Sequence, residues 1–261
     1  MNPATYPPRR VAFRVEYDGT GFSGWQKQNN TPTTIQQSLE EAWSAFVGHD
    51  VAIQGASRTD AGVHARGQLA AVTVQHPAQL SGMIKAVNAK LTRQIAVRDP
   101  VLVTSDYNPR FGNDGKAYSY HIYTDTLRRP LLDRWATRCP WLLNLEDMNR
   151  AAGYCTGTHD FTSFAAADGS HKTAVRTIDK FSCTALDTGL IRFDVRGTAF
   201  MKNMVRILVG TMLEVGRGRI PACQIPQMIA AENRQAAGPT APPQGLCLEE
   251  VFAEFQEIST G

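Results

Sequence analysis

Val11 to Tyr17 alternates apolar and polar residues and runs into Asp18-Gly19, the pattern of a half-buried strand ending in a turn. From Ile35 the period changes. Ile35, Leu39, Ala42, Trp43 and Phe46 recur at helical spacing through Val47, so a helix is expected there. Thr33 or Thr34 can cap it, with Gln36 or Gln37 in the capping-box position, and Gly48 stops it. Two strand-like runs follow, Val51-Ala52-Ile53 and Gln68 to Val74. Leu80 to Leu91 places Met83, Ile84, Val87 and Leu91 on one helical face, and Ile95 to Val103 reads as a strand interrupted at Asp99-Pro100. The first half is therefore a mixed α+β unit, expected over 1–105.

The second half, 106–261, repeats the mixture. Lys116 to Tyr123 is a strand in which Tyr118 and Tyr120 share a face with Lys116 and Ile122. Leu127 to Asp133 is a loop carrying Arg128 and Arg129, either solvated or touching phosphate. Glu146 to Cys155 is helical, with Met148, Ala151, Ala152 and Cys155 on one side. Arg176 to Leu186 and Leu190 to Arg196 alternate around Asp187-Thr188-Gly189 and predict a β-hairpin. That triplet also occurs in aspartic proteases, but a protease needs a second copy or a dimer two-fold, and a tight turn explains it fully. Gly197 to Arg206 opens a helix continuing to Val215, with Met204, Ile207, Leu208, Thr211 and Met212 as its apolar stripe. Ala222 to Glu232 is a short helix, Gly238 to Gln244 a proline-rich loop, and Gly245 to Phe252 a closing strand. Each half has a helix followed by His-Asp (His49-Asp50, His159-Asp160) and then strands, which suits two similar units sharing one sheet.

Composition narrows the class. The apolar share of 43% over 261 residues supports a buried core. A net charge of +3 permits an anionic partner without demanding one. Any nucleic-acid surface must then be local, and basic residues outnumber acidic ones six to two between Arg192 and Arg219. The five cysteines are scattered, with no Cys-x-x-Cys pair, so neither zinc nor a disulfide framework is expected; reduced thiols fit a cytoplasmic protein. His159 and His171 lack a carboxylate or cysteine at ligand spacing, so no metal is expected. Met1 to Arg10 does not read as a signal peptide, and no window approaches a membrane span. Neither a phosphate-binding loop nor a dinucleotide fingerprint is present, so no nucleotide cofactor is expected.

Two loops carry candidate chemistry. Gly55-Ala56-Ser57-Arg58-Thr59-Asp60-Ala61-Gly62-Val63-His64-Ala65 sits between strand-like runs, where chemistry is commonly placed. Its small residues admit a ligand close to the backbone, and Arg58 can favour the ionised form of Asp60. A polar turn would account for the same residue types. Gly21 to Gln28 sets Phe22 and Trp25 among glycines and amides, suiting either contact with a ligand or a loop pinned to the core.

The eleven contiguous residues from Gly55 to Ala65 resemble the signature of the tRNA pseudouridine synthase A family. The resemblance extends to Tyr17-Asp18-Gly19-Thr20 with Phe22, Gly24, Trp25 and Gln26, to Lys116-x-Tyr118-x-Tyr120, and to Gly157-x-His159-Asp160-Phe161-x-x-Phe164. It also takes in Met204-Val205-Arg206 and Pro242-Pro243-x-Gly245-Leu246-x-Leu248, so that it spans Val11 to Phe252. It implies the pseudouridine synthase fold: two ferredoxin- or RRM-like α+β halves sharing a continuous, mostly antiparallel sheet, with helices on one face and a catalytic cleft on the other. It implies Asp60 as the catalytic residue, Arg206 as the arginine that pairs with it, and Arg58 beside them. Tyr118 would line the uridine pocket, with Phe22, Trp25, Gln26, Lys116 and Arg66 as further substrate contacts. The implied substrate is the anticodon arm of tRNA at uridines 38, 39 and 40, and the implied assembly a homodimer. Two departures stand out. Lys202-Asn203 occupies positions where histidine or tyrosine is common, and Cys247 one where tyrosine is usual.

The implied reaction breaks the glycosidic C–N bond of a uridine, turns the uracil and forms a C–C bond to the same sugar. It changes no oxidation state and donates no group, which agrees with the absence of a cofactor motif. A carboxylate can act covalently in such a step, a tyrosine ring stacks on any base face for roughly 1–3 kcal/mol, and the target must first leave its stack. The alternative is a catalytically silent RNA-binding module, since phosphate contacts and stacking aromatics also serve binding alone. Asp60 discriminates: an anion adds nothing to a groove meant for phosphates, whereas a catalyst needs one.

Overall fold

The computed structural model describes residues 6–31, 33–169, 172–186 and 189–255, and these form two compact units. The first takes the chain up to Asp114 together with the segment from Leu248 onward, and the second takes Gly115–Cys247. Both mix strands and helices, and their pairings are antiparallel except for the short parallel contact of residues 137–138 with residues 122–123.

In the first unit β1 (Arg9–Tyr17) lies between β3 (His64–Val74) and β4 (Ile95–Val103), and β2 (Ile53–Gly55) pairs with β3. The last strand, β10 (Leu246–Phe252), also neighbours β3. The expected alternation of β1 is observed from Phe13 on, where Phe13, Val15 and Tyr17 are buried; Val11 and Ala12 are both buried, and the Phe13 ring packs 5.4 Å from that of Trp43. Trp43 belongs to α1 (Ile35–Val47), whose ends follow the sequence signals. Thr34 caps it by accepting from Gln37 N–H (3.3 Å), and Gly48 leaves the helix at φ 84°, a left-handed conformation that glycine adopts without strain.

Helix α2 (Leu80–Asn88) stops three residues short of the expected Leu91. The cause is Asn88, whose amide acts as a strand partner. Its Nδ2 donates to Val97 O (2.7 Å) and its Oδ1 accepts from Val97 N–H (2.8 Å), tying the helix end to β4. Strand β4 continues past Asp99-Pro100, with a register shift opposite Ala12–Arg14 and Asp99 at φ 49°.

In the second unit the order is β5-β9-β8-β7, that is Gly115–Tyr123, Leu190–Gly197, Val175–Ala185 and Gly157–Asp160. In the first unit the opening strand thus lies between the third and the fourth, whereas in the second β5 lies beside β9, the last of these strands in chain order. β6 (Thr137–Arg138) makes a two-residue parallel bridge to β5, too short to register as a sequence pattern. The β8–β9 hairpin is present; Asp187 and Thr188 of its turn lie outside the described residues, and Gly189 takes φ 74°. Helix α3 (Leu145–Tyr154), capped by Asn144, repeats the Asn88 device: Asn149 exchanges bonds of 2.9 and 2.8 Å with Cys183 of β8.

Helix α4 (Met204–Gly216) begins seven residues later than expected from Gly197. Gly197 is the last residue of β9, and a Cβ there would collide with the Thr177 carbonyl. Asn203 then adopts φ 61°, which no α-helix contains, so the helix can start only after it. The loop before β10 lies along α4: Gly238 N–H donates to Thr211 Oγ1 (3.0 Å), and a side chain at Gly210 would strike the Pro239 carbonyl. The expected helix after Ala222 is a 3-10 turn followed by α5 (Ile225–Ala230), with Pro226 in its first turn.

Candidate active site

The loop between β2 and β3 carries Asp60, and its backbone is fixed from several sides within the first unit. Gln68, fully buried on β3, bonds to both backbone groups of Ser57: Nε2 donates to the carbonyl (2.6 Å) and Oε1 accepts from the N–H (3.1 Å). Tyr17 OH lies 2.7 Å from Thr59 Oγ1 in a buried contact, one residue before Asp60. The Thr59 carbonyl accepts from Trp25 N–H (3.1 Å), Gly62 N–H donates to the Phe22 carbonyl (3.3 Å), and Val63 N–H closes a turn on the Asp60 carbonyl (3.2 Å). His64 Nδ1 accepts from Gly19 N–H (3.1 Å) and stands 3.2 Å from Asp18 Oδ1.

Glycines make this close approach possible. Gly24 takes φ 89°, and a Cβ there would lie 2.7 Å from the Thr59 carbonyl oxygen and 3.1 Å from the Asp60 carbonyl carbon. A Cβ on Gly55 would lie 2.5 Å from the indole of Trp25, which is 2% exposed. Trp25 thus pins its loop to the core. Gln26 Nε2 and Lys27 N–H both donate to Gln36 Oε1 (2.6 and 2.9 Å). Glu40, a buried carboxylate, accepts from Lys27 Nζ (3.0 Å), Gln36 Nε2 (3.1 Å) and Ile53 N–H (3.1 Å). Helix α1 therefore clamps the Gly21–Gln28 loop to the strand that leads into the Asp60 loop. Asp60 itself is half-buried. Arg58 is exposed and makes no hydrogen bond or ion pair among the described residues. Arg66, on β3, is exposed and pairs with Glu249 (3.3 Å).

The second unit holds Lys116, Tyr118 and Arg206. Tyr118 on β5 is buried and meets Phe200 edge-on, with centroids 5.2 Å apart. Lys116 is half-buried at the start of the same strand, opposite Gly197. Arg206, in the first turn of α4, is fixed at two nitrogens: Nε donates to the Ala241 carbonyl (2.7 Å) and Nη1 to Asn203 Oδ1 (2.9 Å). Its own carbonyl accepts from Ala241 N–H (3.0 Å). Tyr120, two residues beyond Tyr118, is fully buried. Its hydroxyl donates to the Pro242 carbonyl (2.7 Å) and lies 2.7 Å from Thr137 Oγ1. Burial, only partly offset by Thr137 and by the Arg206 charge, pushes this hydroxyl far above the ordinary tyrosine range, so it stays protonated.

Four of the six basic side chains between Arg192 and Arg219 make ion pairs, but only Asp168 comes from outside that run, so a basic excess remains. Arg192 pairs with Asp194 (2.8 Å), Arg217 and Arg219 share Glu214 (2.7 and 3.4 Å), and Lys202 pairs with Asp168 (2.5 Å). Among the described residues no group of three or more His, Cys, Asp or Glu could hold a metal ion, and His171 lies outside them. Among the described residues no helix is long and apolar enough to cross a membrane. Sequence reasoning missed Gln68, Tyr17 and Gly24 as supports of the Asp60 loop, and Asn203 as a partner of Arg206. The one available signal was Gln68, a lone amide heading the apolar run to Val74.

Residues 14–110 and 151–252 match the family model described as tRNA pseudouridine synthase. Curated relatives called tRNA pseudouridine synthase A align over nearly the whole chain. That of Myxococcus xanthus is 42% identical over 245 residues, covering 93% of this chain and 91% of that protein. That of Acetivibrio thermocellus is 41% identical over 244 residues (94% and 99%), and that of Syntrophotalea carbinolica 42% over 252 residues (96% and 99%). The matched family model, on a mixed α+β, mostly antiparallel fold, puts the chain in the class of RNA-modifying isomerases. The chain belongs to the tRNA pseudouridine synthase family.

Proposed function

We propose that this chain isomerises uridines 38, 39 and 40 in the anticodon arm of tRNA, with Asp60 as the essential carboxylate. In the reaction the N1–C1′ bond breaks, the uracil turns, and C5 bonds to C1′. The proton leaves C5, and one is taken up at N1, so the overall change is an isomerisation. Asp60 acts through its ionised carboxylate, as a covalent nucleophile or as a stabiliser of developing charge. Arg206 is the cation that keeps Asp60 anionic and oriented. Tyr118 stacks on the uracil, while Arg58 holds the flipped nucleotide out of its stack. Phe22, Trp25, Gln26, Lys116 and Arg66 complete the nucleotide contacts. The enzyme works in the cytoplasm as a homodimer.

The observation that supports Asp60 most directly is the bracing of its loop. The residues on both sides of it are fixed by Gln68, Tyr17 and the Phe22–Trp25 backbone, and a polar surface turn would need none of these. Preorganisation of this kind is what a reacting group requires. Asp60→Ala is expected to bind tRNA and form no pseudouridine; retained turnover would overturn the assignment. Arg206→Lys is expected to fail as well, because a point charge does not replace a planar fork of donors. A gel-stable adduct with tRNA containing 5-fluorouracil distinguishes covalent attack from charge stabilisation.

A further inference from the structure

We propose that Asn203 is a positioning residue for Arg206, setting the direction in which the guanidinium points; this rests on the role proposed above for Arg206. Three observations converge. Asn203 is the residue before α4, the place where asparagine ordinarily caps its own helix, yet its side chain makes no capping bond. Its Oδ1 instead accepts from Arg206 Nη1 at 2.9 Å. Its backbone sits at φ 61°, a left-handed conformation that asparagine tolerates better than most side chains but that still carries strain.

The geometry explains the arrangement. A right-handed conformation at 203 would extend the helix backward; the left-handed turn leaves Oδ1 facing the third residue on. The Ala241 carbonyl on Nε and Oδ1 on Nη1 then hold the guanidinium at two points, which fixes the plane of a rigid fork. Lys202, the neighbouring departure from the family pattern, is engaged elsewhere with Asp168. Asn203 is thus the member of the pair that reaches Arg206.

The test measures single-turnover pseudouridine formation, tRNA affinity and melting temperature. Asn203→Gly keeps the left-handed backbone free of strain and removes only the acceptor. It is expected to fold with wild-type melting and bind tRNA normally, yet to react about 10-fold more slowly through a misaligned Arg206. Asn203→Asp keeps an acceptor and tolerates the same backbone, and is expected to recover most of the rate. Wild-type rate in Asn203→Gly while Arg206→Lys is inactive would overturn the positioning role alone. The same follows if Asn203→Asp stays as slow as Asn203→Gly. Wild-type rate in Arg206→Lys itself would overturn the role of Arg206 instead.

Discussion

Replacing Gln68 with leucine removes the amide that bridges both backbone groups of Ser57 while keeping similar volume. Gln68 is fully buried and Ser57 half-buried, so water replaces the lost partners only in part. Leaving one donor and one acceptor unsatisfied costs about 1–3 kcal/mol each, or about 2–6 kcal/mol before relief from no longer burying the polar amide. A net loss near 3 kcal/mol is a large share of the roughly 5–15 kcal/mol that holds a typical domain, and should lower the melting temperature by about 6–12 °C. The protein still folds at 25 °C. Ser57 lies three residues before Asp60, so the freed loop should also cost activity; a displacement near 1 Å is worth about 100-fold. Activity is read as tritium released from tRNA bearing 5-tritiated uridine, since the new bond displaces the hydrogen at C5.

Gln68→Glu gives the same reasoning a pH signature. Its second oxygen would face the Ser57 carbonyl across the 2.6 Å that Nε2–H now spans, an arrangement tolerable only when the carboxyl is protonated. The folded-state pKa is therefore raised above the ordinary value of about 4.3. With the folded value raised, stability is intact below the ordinary pKa and is lost as pH rises through the folded one. Denaturant unfolding should show Gln68→Glu closer to wild type at pH 5 than at pH 8. Wild-type melting and tritium release in Gln68→Leu, or a Gln68→Glu deficit that does not depend on pH, would refute the bracing role.

Three further expectations follow from the same structure. Gly24→Ala places a methyl group 2.7 Å from the Thr59 carbonyl at a left-handed backbone angle, at a cost above about 1 kcal/mol, and should slow catalysis more than it lowers the melting temperature. Arg58→Ala should leave melting unchanged, because the exposed side chain makes no bond among the described residues, and should weaken the reaction with tRNA in steady-state kinetics. Burial pushes the Cys155 thiol up to about 12 and that of Cys183 to about 11, and also raises Cys139. Exposed Cys223 should therefore be alkylated first in the native protein at pH 8, as peptide mass spectrometry would show.

Local signals were legible wherever the physics is local. The ends of α1 followed from Thr34 and Gly48, because a cap and a left-handed glycine depend on a few adjacent residues. The alternation of β1 located a core face, and the Gly55–Ala65 motif located the loop that holds Asp60. What failed depended on distant partners. Nothing near Leu91 says that the Asn88 side chain will bond the backbone of Val97, and nothing near Gly197 says that the Thr177 carbonyl lies against it. His64 and Ala65, which sat within the loop motif, prove to be strand, because Ala65 pairs with Tyr17. The supports of the site stayed hidden for the same reason. Gln68 and Tyr17 are unremarkable residues in strands until the fold brings Ser57 and Thr59 against them.

Strand β4 ends the strand order of its sheet, and its register with β1 shifts midway, at Asp99-Pro100. A proline has no backbone hydrogen to offer, and the kink at Asp99 turns the chain out of register. A foreign segment laid along that border would find its ladder broken within a few rungs. The same two residues that blur the strand in the sequence thus guard a crowded solution of this enzyme against edge-to-edge growth into aggregates.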